Sequence, residues 1–232
     1  MRICLTILFC STLIVCNAQK KKQQDAAVIG IPRYTTTLTE QQIKLLDSMD
    51  VNFKIHGFCY AYSSDKNAIA SNGEAHSPNK AQKTKASLNK NGFYLVINEK
   101  ELCRLNENNL GHKLYVVNTS DTAMSFSAQD SRLDIIPEAK DRDGNWKPIG
   151  YLPFSDCGNS YHSITLDTNE FWEFKVPVFK GKFKTSIRYT LYIGFQPAYS
   201  SNEIMTMINE SQLKSKNKQG HLPSSLMDPY SE

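Results

Sequence analysis

Lys182-Phe-Lys-Thr-Ser-Ile-Arg-Tyr-Thr-Leu-Tyr-Ile193 is the run on which the fold turns. In an extended chain Phe183, Thr185, Ile187, Tyr189, Leu191 and Ile193 fall on one side, and Lys182, Lys184, Ser186, Arg188 and Thr190 on the other. A helix repeats about every 3.6 residues, so a period of two held this long means a strand with one buried and one wet face. Trp172, Phe174 and Val176 alternate in the same way against Glu173 and Lys175.

Working outward, the same signature recurs. Phe53, Ile55, Gly57 and Cys59 alternate with Lys54, His56, Phe58 and Tyr60, and strands are expected at Phe93–Ile97, Leu114–Val117, Met124–Ala128, Leu133–Glu138, Trp146–Leu152 and Ser160–Leu166. Turn residues separate them. Asn118-Thr-Ser-Asp121 can hydrogen-bond its own backbone, and Asp143-Gly144 between two apolar runs is a hairpin cue. Many short strands with turns between them and almost no helix predict a mostly β protein, an antiparallel two-sheet sandwich. One short N-terminal helix is expected over Glu40–Ser48. Thr39 and Gln42 form a capping box there, and Ile43, Leu46 and Met49 make a narrow apolar stripe.

Leu114–Ser120 (LYVVNTS), Asp143-Gly-Asn-Trp-Lys-Pro148 and Tyr189–Gly194 (YTLYIG) resemble segments of the immunoglobulin- and fibronectin-like sandwiches of exported bacterial proteins, over roughly residues 50–210. The Cys…Trp…Cys signature of antibody-type domains is absent. The resemblance therefore implies architecture and no activity, since this fold hosts many functions.

The organisation reads as a signal peptide over 1–18, then a polar leader, edge strand and short helix over 19–52. The sandwich follows over 53–210 with a mobile loop at 63–90, and a flexible tail occupies 211–232. Arg2, the apolar Ile3–Val15 and the small Ala18 match an export signal cleaved before Gln19. The rival reading lipidates Cys16, against which bulky Val15 speaks. Ala27–Ile31, closed by Pro32, is the expected edge strand. No later segment has the length of a transmembrane helix.

Composition excludes little else. The chain has 232 residues, 40% hydrophobic and 22% charged, with 27 basic against 23 acidic side chains. That excess is small and spread out, and its densest run, Lys20–Lys22, lies beside the expected cleavage point, so no nucleic-acid partner is expected. Outside the signal the cysteines are Cys59, Cys103 and Cys157, which allow three disulfide pairings or none.

Three candidate sites emerge. Cys157 and His162, five residues apart in an Asn- and Gly-containing loop, could form a thiolate–imidazole pair of a cysteine-dependent hydrolase. Asp141 and Asp143 suggest the start of a calcium loop, but Leu152 stands where an EF-hand closes with glutamate, and the hairpin explains both residues. Tyr151, Phe154 and Tyr161 are loop or strand-end aromatics that could form a binding surface for carbohydrate. No cofactor is implied. The leading expectation is an exported, non-catalytic protein that binds or assembles with a protein or other component of the envelope or extracellular space; the hydrolase and the carbohydrate- or calcium-binding module are the alternatives.

Overall fold

The computed structural model describes residues 38–64, 66, 77–84, 92–152, 158–194 and 196–214. The export signal, Cys16, the expected edge strand Ala27–Ile31, most of the 63–90 loop, Phe154, Cys157 and the chain beyond Lys214 lie outside the described residues.

Among the described residues the chain is mostly β with one short α-helix. In order come α1 (Glu40–Lys44), β1 (Ile55–His56), β2 (Gln82–Lys83), β3 (Phe93–Arg104), β4 (Leu110–Asn118), β5 (Met124–Gln129), β6 (Arg132–Leu133) and β7 (Ile135–Lys140). Then follow β8 (Trp146–Pro148), β9 (Gly150–Tyr151), β10 (Tyr161–Leu166), β11 (Glu170–Pro177), β12 (Phe183–Ile193), β13 (Gln196–Ser200) and β14 (Ile204–Ile208). The capping box forms as expected: Thr39 accepts from the Gln42 N–H, and the Thr39 N–H donates to Gln42 Oε1. The helix ends at Lys44 rather than Ser48 because Asp47 and Met49 leave it to bridge Asn109 and Phe179.

Two layers enclose one core. The first is the four-stranded antiparallel sheet β2–β11–β4–β3. The second is made of the five-stranded sheet, with order β13–β12–β7–β8 and β14 also on β12, and the three-stranded sheet β10–β5–β6. These two continue one another at Asp134, whose carbonyl accepts the Tyr192 N–H at 2.8 Å. Leu95, Ile97, Leu114, Val116, Trp172, Phe174 and Val176 of the first layer share a core with Phe126, Leu133, Ile135, Ile164, Ile187, Tyr189 and Leu191 of the second. The β12 alternation is as expected along its middle, while Ile193 at its end is exposed.

The sandwich is clamped at both sides by asparagine. Asn79 Nδ2 donates to the carbonyls of Tyr60 (3.1 Å) and Glu173 (3.0 Å), tying the Cys59–Ser63 segment to β11. Opposite, Asn202 accepts from Ile97 N–H at 2.7 Å and donates to Ile97 C=O at 3.2 Å, on the side of β3 away from β4. Buried Asn118 holds the β4–β5 turn by donating to Thr122 and Leu166 carbonyls. Gly144 closes the β7–β8 hairpin at φ +82, where a side chain would be strained, and Asp141 Oδ1 accepts from the N–H groups of Asp143 and Asn145.

The four-stranded sheet is buried on its other face too. Tyr94, Val96, Tyr115, Val117 and Phe171 form a second cluster there. Beside it Lys113 is wholly buried, with Nζ 3.0 Å from Glu101 and 3.6 Å from Glu173. Removing one member of such a group strands uncompensated charge, which costs far more than the group contributes against an apolar replacement. Lys113→Ala is therefore expected to lower urea-measured stability by about 3–5 kcal/mol, and Lys113→Met combined with Glu101→Gln and Glu173→Gln to recover much of it.

Two buried groups titrate in opposing senses. Burial holds His112 down to about 4, so the folded state stays neutral while the unfolded chain takes a proton below 6.5, and acidification costs stability. Burial pushes Asp134 up to about 6 against the pull of Arg132, so the folded state keeps a proton that the unfolded chain loses above 3.8, and acidification restores stability. Relative to the wild type, Asp134→Asn should lose about 3 kcal/mol on going from pH 6.5 to 4, and His112→Gln should gain about as much, in urea titrations at stepped pH.

Candidate binding face

The outer face of β10–β5–β6 is built by register. Tyr161 pairs with Gln129, Gln129 with Arg132, and Arg132 with Tyr60 in an isolated antiparallel bridge. Directly opposed residues point to the same side of a sheet, so these four side chains form one row across four neighbouring chain segments. At about 4.8 Å per step the outer two stand roughly 14 Å apart. Tyr60 is 40% and Tyr161 44% exposed, among the few large hydrophobic side chains that face solvent. Arg132 between them is buried and donates to Gln129 Oε1.

Further along the same face every side chain on the two longer strands is small and hydroxylated. Ser163 opposes Ser127 and Thr165 opposes Ser125, and the three serines are exposed. The inward positions of the same strands are Phe126, Ala128, Ile164 and Leu166, all in the core. The alternation that fills the core thus leaves a floor of short hydroxyls on β10 and β5 beside the tyrosine row.

The adjoining outer face of the five-stranded sheet is different. Glu138 is buried there and accepts from Arg188 Nε (2.7 Å), Thr190 Oγ1 (2.7 Å) and Tyr192 OH (2.9 Å). Arg188 and Lys140 lie over the Trp146 ring at 4.2 and 4.8 Å. Its charges and its tryptophan satisfy one another, and this half of the layer presents a closed network.

The expected site residues separate. Tyr161 belongs to the tyrosine row, whereas Tyr151 is buried on β9, with His56 edge-on at 6.3 Å. Phe154 and Cys157 lie outside the described residues. His162 points inward beside Tyr62, and its Nε2 lies 3.3 Å from Ser131 Oγ. A nucleophile–base pair needs an open oxygen and an acceptor on the second ring nitrogen. Ser131 is 1% exposed, and His162 Nδ1 is buried without a hydrogen-bond partner among the described residues. The contact instead braces the β5–β6 turn, in which Asp130 and Ser131 both adopt positive φ (48 and 65). The Asp141 carboxylate is engaged with its own turn, and among the described residues no three His, Cys, Asp or Glu side chains gather as metal ligands. No described helix is long and apolar enough to cross a membrane.

Reasoning from sequence missed Tyr60, Gln129 and Arg132. Their signal lies in pairing across strands, which no local pattern reveals.

Cys59 and Cys103 are free and buried, on opposite faces of the first layer, and burial raises their thiols to about 12 and about 11. N-ethylmaleimide applied to the native protein should leave both unlabelled, and both should react in urea, as read by peptide mass mapping.

No protein-family profile, curated protein or solved structure matches this chain.

Proposed function

We propose that this chain is an exported, non-catalytic β-sandwich protein of immunoglobulin- or fibronectin-like architecture that binds a component of the envelope or extracellular space through the outer face of β10–β5–β6. Export rests on the Arg2, Ile3–Val15 and Ala18 pattern. The binding role rests on one observation: the Tyr161–Gln129–Arg132–Tyr60 row ends in two exposed tyrosines. Tyrosine is enriched where surfaces bind, because its ring offers contact area at low entropic cost and its hydroxyl tolerates water between encounters. The face is carried on paired strands and braced from below by the core, so its geometry is set before a ligand arrives.

The test is capture from the native envelope fraction by wild-type protein and by a Tyr60→Ala, Tyr161→Ala double variant. Loss of about tenfold or more of the captured material is expected in the double variant. A control Lys184→Ala variant, altered at an exposed position on the neighbouring sheet, should capture as the wild type does. Equal capture by the double variant and the wild type would show that binding, if present, lies on another surface.

A further inference from the structure

Resting on that reading of the β10–β5–β6 face, we infer that its ligand is an uncharged oligosaccharide or polysaccharide chain, laid along the Tyr161–Gln129–Arg132–Tyr60 row beside the serine and threonine hydroxyls, with sugar rings against Tyr60 and Tyr161.

Shape is the first argument. Ser125, Ser127, Ser163 and Thr165 are among the shortest polar side chains, and the two tyrosines rise at the ends of the adjoining row. Between them the row runs roughly 14 Å, three strand spacings, over Gln129 and Arg132, with the hydroxyls of β10 and β5 along one side. That is longer than one sugar ring and suited to several in line. A protein partner would instead favour an apolar centre to its contact, and here the centre is Gln129 and Arg132, flanked by hydroxyls.

The second argument is hydrogen-bonding chemistry. Each of the four hydroxyls can both donate and accept, and so can the Gln129 amide. A row of hydroxyls on a sugar presents the same dual character, so either partner can turn to suit the other. The C–H face of a sugar ring is apolar and matches an exposed aromatic ring, while its edge keeps its hydroxyls in water.

Charge provides the third. Among the described residues the outward positions within β10 and β5 carry no charge, and on β6 Arg132 is buried, bonded to Gln129 and balanced by neighbouring Asp134. In a chain 22% charged, with Lys184, Arg188, Glu138 and Lys140 on the adjoining half of the same layer, a face so poor in charge complements a ligand that has none. An anionic glycan or a nucleic acid would call for unpaired exposed cations, and among the described residues the exposed cation beside this face, Lys66, is paired with Asp167.

Affinity electrophoresis of the purified protein in native gels tests this. Gels contain laminarin, galactomannan, xylan or hydroxyethyl cellulose as neutral probes, and alginate as the anionic comparison. Retardation is expected in at least one neutral gel and not in alginate. Tyr60→Ala and Tyr161→Ala should each weaken it about tenfold, whereas Tyr161→Phe, which keeps the ring, should retain most of it. Unchanged urea midpoints would show that the variants fold. The inference is overturned if no neutral probe retards the wild type, or if retardation survives the double alanine variant. Should envelope capture depend on the two tyrosines while no neutral glycan binds, the binding face stands and the sugar does not; should both measurements be indifferent to the tyrosines, both readings fall.

Discussion

The four-stranded sheet is buried on both faces, and this constraint organises the rest of the molecule. On one side Leu95, Leu114, Val116, Trp172 and Phe174 meet the second layer; on the other Tyr94, Val96, Tyr115, Val117 and Phe171 are buried as well. With both faces covered around its centre, β4 reads as the nearly continuous apolar Leu114–Val117. Where a charged residue does fall on the second face, as Lys113 does, it is held by two carboxylates.

With the first layer fixed, the second layer has only one side available to solvent, and it divides that side in two. Around β12 and β7 the polar groups answer one another through Glu138. Around β10 and β5 they are short hydroxyls with no such hub. Tyr60 reaches the second region only because its segment is anchored to the core: Ala61 N–H donates to Ser131 C=O, and Trp172 Nε1 donates to the Tyr62 carbonyl at 2.8 Å. The candidate face is thus an outward consequence of how a fully buried tryptophan finds its hydrogen-bond partner.

Legibility in the sequence follows the same division. β12, with one wet face, and β11, whose Glu173 and Lys175 alternate with core residues, announce themselves through period two, and the Asn118 and Gly144 turns through residue type. Phe93–Ile97 was expected as a short strand, yet β3 runs to Arg104, because the polar Asn98–Glu101 stretch is a bulged continuation whose Glu101 carboxylate is paired to Lys113. Gln82–Lys83, within an expected loop, becomes a strand by pairing with Phe171 and Glu170 rather than by its own propensity. β13 and β14 were not anticipated. Short and partly exposed, they are strands because β12 is long enough to pair with both. Of the candidate face, Tyr161 was visible as a strand-end aromatic, while the residues that complete the row belong to segments far apart in the chain.

Asn202 has a consequence beyond holding two segments together. Among the described residues β3 pairs with one strand, β4, and a long strand with an open edge is a template onto which another chain can add. A single carboxamide imitates the missing neighbour at Ile97, taking its N–H and returning a donor to its carbonyl. At Ile97 the peptide groups an incoming strand would pair with are thereby already taken.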